Sequence, residues 1–140
     1  MQVRREGKDV LFRLDPGEEL VGELVHWARK SAIPSAVMTG LGAVRDVHLG
    51  YFDLDARKYV KIPVPRHVEI VSLDGSIGVL DDEYHAHVHV TVSSSGGNCV
   101  AGHLFQAMVS ITAEIHMTVL QEPLRLVRQP ETGILLWDLA

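Results

Sequence analysis

The feature that most constrains this chain is the alternation of apolar and polar side chains through its C-terminal half. Between Ser110 and Leu120, Ile111, Ala113, Ile115, Met117 and Val119 share one parity, while Thr112, Glu114, His116 and Thr118 share the other. Successive side chains of a strand leave opposite faces, so this period belongs to a strand with one face buried and one open. Val47, Leu49 and Tyr51 repeat the pattern, as do the segments His67–Leu73 and Tyr84–Val92. One-sided burial is the signature of antiparallel sheets, whereas strands of parallel sheets read as continuous apolar runs.

Only one segment carries a helical period. Leu20, Val21, Leu24, Val25 and Ala28 form an apolar stripe, and the helix is expected from Glu18 to about Ser31. Asp15 is placed to cap it, Pro16 to occupy its first position and Glu18 to complete a capping box. Arg29 and Lys30 suit the negative end of the helix dipole, and Pro34 prevents continuation. His26 is expected on the solvated side. One helix among many strands gives an α+β fold: a largely antiparallel, mixed β-sheet with one main amphipathic helix, in a single domain.

Strands are expected at Asp9–Leu14, Ser35–Thr39, Ala43–Phe52, Tyr59–Ile62, His67–Leu73, Ser76–Leu80, Tyr84–Val92, Cys99–Phe105, Ser110–Leu120 and Ile134–Asp138. Gly40-Leu41-Gly42 reads as a break and Asp74-Gly75 as a turn. Asp53–Arg57 and Ser93–Asn98 read as hairpin connections.

Composition narrows the functional classes. At 46% apolar and 22% charged residues the chain is an ordinary globular domain. No apolar run approaches the roughly 18 residues of a membrane span, and no apolar segment follows Arg4 and Arg5 to make a signal peptide. The single cysteine, Cys99, excludes an intrachain disulfide and suits a reducing compartment, so a cytoplasmic location is expected. The net charge of −5, with basic residues scattered, argues against DNA as the default partner, because phosphate neutralisation needs a basic face.

The chemistry concentrates in Tyr84-His85-Ala86-His87-Val88-His89-Val90, followed by His103. Imidazoles at alternate positions of a strand share one face. A short loop, Ser93–Asn98, brings the strand of His103 back beside them. Two neighbouring histidines on one strand and one across a hairpin can share a transition-metal ion, and catalytic zinc sites commonly use three protein ligands. Exposed polar pleats are the plainer alternative. His48 and His67 are expected to be ordinary exposed or half-buried residues. Glu69 and Glu114 could each orient a ligand imidazole or act as a base, although a solvated carboxylate is the plainer reading.

Read in order, Leu14-Asp-Pro-Gly-Glu-Glu-Leu20, Gly40-Leu-Gly-Ala-Val-Arg-Asp-Val47, Leu49-Gly-Tyr-Phe-Asp53, Glu69-Ile-Val-Ser-Leu-Asp-Gly75, His87-Val-His89, Gly102-His-Leu104 and Thr112-Ala-Glu114 resemble the PPC (Plants and Prokaryotes Conserved) domain. The resemblance spans about Leu11 to Leu136, and the bacterial and archaeal members similar to this chain are stand-alone domains, often labelled PD1-like DNA-binding proteins. It implies an α+β fold related to that of acetolactate decarboxylase, a homotrimer and a histidine metal site. Its His-x-His and Gly-His-Leu motifs fall on His87, His89 and His103, leaving His85 as a neighbour. Zinc is the expected ion, although histidine ligands also suit nickel, copper and iron. Ala101-Gly102 replaces the family's frequent double glycine. The Arg-Gly-Arg-Pro core of the plant AT-hook is absent, which weakens the DNA-binding implication. A metal-dependent role on a small molecule, a DNA-binding or regulatory module, and a trimeric scaffold with a structural metal are the three functions left open.

Overall fold

The computed structural model describes residues 1–140. The elements run β1 (Gln2–Glu6), β2 (Asp9–Leu14), α1 (Leu20–Lys30), β3 (Ala36–Asp53), β4 (Lys58–Ile62), β5 (His67–Leu80), β6 (Glu83–Ser93), β7 (Cys99–Val119), β8 (Arg125–Arg128) and β9 (Leu135–Asp138). All strands join one nine-stranded sheet ordered β1-β2-β7-β3-β5-β8-β9, with β4 on β3 and β6 joined to both β5 and β7. Every pairing is antiparallel except the Val79–Arg125 contact of β5 with β8. The expected α+β class and largely antiparallel mixed sheet are therefore borne out. No helix is long and apolar enough to cross a membrane.

The pairings β3–β5, β5–β6, β6–β7 and β7–β3 close a circuit. Its enclosed side carries Val44, Leu49, Ile70, Leu73, Val88, Val90, Val92 and Ile115, all buried. Leu20, Leu24 and Ala28 of α1 complete that core, as the helical stripe anticipates. Along β6 the even positions Val88, Val90 and Val92 therefore point inward, and the odd positions carrying histidine point away from the core.

The helix begins later than expected. Glu19 is its N-cap, accepting hydrogen bonds from the backbone N–H groups of Val21 and Gly22 at 3.3 and 2.6 Å. It also accepts one from Ala107 of β7 at 3.1 Å, so the cap pins the helix to the sheet. Asp15 and Glu18 instead build the preceding turn, where Glu18 accepts from the Asp15 N–H at 2.7 Å. The capping-box bond thus forms, but one turn early, because Gly17 adopts φ +90° and ends any helical path there.

Three expected interruptions are continuous strand. Gly40-Leu41-Gly42 lies inside β3, where the register shifts instead of breaking. Asp74-Gly75 lies inside β5; a Cβ on Gly75 would come 2.7 Å from the His87 carbonyl oxygen, so the glycine serves close backbone approach, not a turn. Cys99–Phe105 and Ser110–Leu120 are one strand, β7, with a shift between the Gly42–Ala113 and Val44–Val109 pairs. Ile111 falls in that irregularity and is 69% exposed, contrary to the inward position its parity suggests. Cys99 is also exposed.

The β5–β6 connection is a two-residue hairpin, Asp81-Asp82, with φ of 49° and 64°. Paired positive φ angles are those of the type I′ turn, whose twist matches that of the flanking strands. It sets the register that places Ser76 opposite His87 and Asp74 opposite His89.

Candidate metal centre

The three histidines singled out by spacing come together. His89 and His103 are cross-strand partners in the β6–β7 pair, and His87 sits one same-face position along β6. Directly opposed residues of an antiparallel pair share a face, which brings their rings into contact. The ring centroids of His87 and His89 are 5.0 Å apart, those of His87 and His103 5.3 Å, and those of His89 and His103 5.6 Å. The Nε2 atoms of His87 and His89 lie 3.2 Å apart. One nitrogen from each ring can be chosen so that all three lie within 4.8 Å of one another.

Local packing makes room for this arrangement and partly dries it. A Cβ on Gly102 would lie 2.9 Å from the Gly50 carbonyl oxygen and 2.7 Å from Ile62, so a side chain there would push β3 and β4 away from His103. The His103 ring instead lies 5.1 Å from the Tyr59 centroid and 4.6 Å from that of Phe105. Burial pushes the His103 pKa down to about 4, and the neighbouring His87 and His89 add to the effect. The His87 pKa is also lowered, by burial first and by His89 second. Burial raises the Tyr59 pKa. Neutral imidazole is the metal-binding form, so these shifts favour coordination over protonation.

The Nδ1 atom of His103 is buried and has no hydrogen-bond partner. Buried polar atoms are rarely left unpaired, because the lost hydration is not recovered. A cation shared with two more imidazoles offers such an atom its electrostatic compensation. On this ground the residues fit a transition ion held by three nitrogens.

His85 leaves the same face of β6 but stands outside the triad, lining the adjoining cavity instead. His26, His48 and His67 are exposed, as expected. The two carboxylates considered from sequence are elsewhere. Glu114 lies opposite Leu41 and Arg13, far down β7 from His103, at about 3.3 Å per residue roughly 35 Å along the strand. Glu69 pairs with Ser93, beyond His89 on β6. By register the carboxylate nearest the triad is Asp74, opposite His89, and the expectation of a turn there concealed it.

A cavity of about 410 Å³ adjoins the triad, bordered by His87, His103 and Tyr59. Its far wall is the β8–β9 hairpin, including Leu126 and Trp137. The hairpin is anchored by hydrogen bonds from Val79 N–H to the Leu124 carbonyl at 2.9 Å and from the Trp137 indole to Ser76 Oγ at 3.3 Å. Sequence reasoning found β9 but missed β8, Tyr59, Arg57, Lys58 and Trp137 as site residues. The only signal was a lone tryptophan in an apolar C-terminal run.

Residues 1–121 match the model of the Plants and Prokaryotes Conserved (PCC) domain. A metal-containing protein from Archaeoglobus fulgidus is 32% identical, with a TM-score of 0.85 and 99% of each chain covered. A plant- and prokaryote-conserved protein from Pyrococcus horikoshii is 29% identical, with a TM-score of 0.86 over 98% of this chain and 93% of that one. A candidate DNA-binding protein from Ralstonia eutropha is 25% identical, with a TM-score of 0.89 over 99% and 96%. None of the curated proteins compared with the chain matches it.

Proposed function

Since the chain belongs to the Plants and Prokaryotes Conserved domain family, we propose that it is a metal-binding member whose ion, zinc in the first instance, serves a small-molecule site. The observation that carries this reading is the convergence of His87, His89 and His103 with candidate ligand atoms within 4.8 Å. The metal content of the Archaeoglobus relative supports it. Three protein ligands are the pattern of catalytic zinc sites, which keep a position for water or substrate. The neighbouring cavity has the roughly 300–1,000 Å³ scale of ligand pockets. An ion so held can polarise a carbonyl oxygen or lower the pKa of water. The chain's own contribution is to align three imidazoles, to lower the pKa of His87 and His103 by burial, and to shield His103 partly behind Tyr59 and Phe105.

Cobalt substitution tests the reading. Cobalt-loaded protein is expected to show visible absorption bands that His87→Ala and His103→Ala abolish. Bands unchanged in both variants would refute the triad as the site.

We further propose that the chain assembles as a homotrimer. Val3, Leu11, Leu41 and Val71 are exposed side chains bordering one groove of the sheet, apolar surface that association would cover. A solution mass of three chains is expected, and a monomer at micromolar concentration would contradict it. Chelation distinguishes the metal's roles: a trimer that survives metal removal favours the small-molecule site, and one that dissociates favours a structural ion. The acidic net charge and the cavity together favour this reading over a DNA-binding one.

A further inference from the structure

The cavity beside the triad has a chemical signature that the metal alone does not explain. Among its 16 lining residues the charged side chains are Arg57 and Lys58, and none is aspartate or glutamate, in a chain whose net charge is −5. Arg57 ends the β3–β4 turn, which Asp53 stabilises by accepting the Ala56 N–H at 2.9 Å, and Lys58 opens β4. The rest of the lining includes three aromatic rings, Phe52, Tyr59 and Trp137. Trp137 is held by its indole hydrogen bond to Ser76, a buried residue that sits opposite His87. This wall belongs to the β8–β9 hairpin, beyond residue 121 where the family match ends.

We propose that the cavity binds a small organic carboxylate bearing a flat apolar group. Its carboxylate is held by Arg57 and Lys58, and its apolar part lies against Trp137 and Tyr59. The inference rests on the reading of the triad as a metal site and adds the ligand class. An anion gains from both cations and from a nearby ion, and guanidinium matches the carboxylate fork. A ring of aromatic surface selects against small hydrated anions, which would lose water without gaining contact. The C-terminal hairpin is thus the part of the chain that sets which carboxylate fits.

Benzoate, benzamide and acetate separate these contributions. Tryptophan fluorescence in a Trp27→Phe background reports on Trp137 alone, because Trp27 and Trp137 are the chain's two tryptophans. Calorimetric titration of the unaltered protein supplies the same comparison without relying on that variant. Benzoate is expected to bind at least about tenfold more tightly than benzamide or acetate, since a charge-assisted pair is worth more than one tenfold step. The double variant Arg57→Ala/Lys58→Ala should lose the preference over benzamide while keeping its zinc. Trp137→Ala should lose the preference over acetate. Equal binding of benzoate and benzamide, binding of neither, or a preference that survives the double variant would overturn the inference. Zinc content measured on the same samples keeps the two readings apart. Protein that binds no zinc yet prefers benzoate retains the anion site and defeats the metal reading; zinc-loaded protein without the preference does the reverse.

Discussion

His103 and His116 lie on the same strand, yet they have opposite fates. His103 is hemmed in by two aromatic rings and two histidines, with a buried Nδ1 that nothing in the chain satisfies. His116 is exposed, and its Nε2 is 2.9 Å from Asp9, which also accepts the Thr118 hydroxyl at 2.8 Å. Those two bonds lower the Asp9 pKa, Thr118 contributing first. The contrast shows what makes a histidine a ligand. One imidazole already has a hydrogen-bonding carboxylate; the other has none, only like neighbours that an ion would unite.

The largest effect expected from this contrast is in metal content. His87→Ala and His103→Ala should each lose the bound ion, whereas His116→Ala should keep it; metal analysis of the three variants reads this directly. Parallel losses in all three would erase the distinction between the two ends of β7.

A smaller but clear effect is expected from Gly102→Ala. The added Cβ would meet the Gly50 backbone at 2.9 Å, and overpacking of this kind costs about 1–3 kcal/mol. Thermal unfolding should show the loss, with weakened metal binding because His103 moves with the strand. An unchanged melting temperature would contradict the close packing of β3 and β4 over this site.

Acidity sharpens the comparison further. In metal-free protein, His103 has a folded pKa of about 4, below the roughly 6.5 of an unfolded histidine. Between these values the unfolded chain binds more protons, so stability falls as pH drops from about 6.5 toward 4 and is level with respect to this group above about 7. The fall should diminish in His103→Gln. A decline of equal steepness in the variant would assign acid lability elsewhere.

The smallest effects belong to the carboxylates. Glu69→Gln and Glu114→Gln should leave metal content unchanged and shift stability by less than about 0.5 kcal/mol, as exposed substitutions commonly do. Asp74→Asn is the informative member of the set, since Asp74 faces His89 across β5–β6. If either glutamate matters more than Asp74 to metal affinity, the register-based assignment fails.

Much of this could be read from the sequence because periodicity is local. The alternation of β6 and the stripe Leu20–Leu24–Ala28 each follow from the geometry of a single element, and both survive in the fold. The triad was legible for the same reason: a short loop forces β6 and β7 to pair, and His89 meets His103. What was hidden depends on the partner strand. Asp74-Gly75 has the composition of a turn, but its role is set by the His87 carbonyl that passes 2.7 Å from where a Cβ would lie. Ile111 has the parity of a core residue, but a register shift between β3 and β7 turns it outward. Strands β1 and β8 are short and exposed, so they lack the buried face that makes alternation visible. Arg57, Lys58 and Trp137 converge only through long-range folding, and no spacing announces them.

The most direct test of the account is elemental analysis of protein purified without a histidine tag, with stoichiometry measured per chain. The account predicts about one transition-metal ion per chain in the native protein and none in His87→Ala or His103→Ala. Wild-type protein that carries no ion, and takes none up when zinc is supplied, would contradict it.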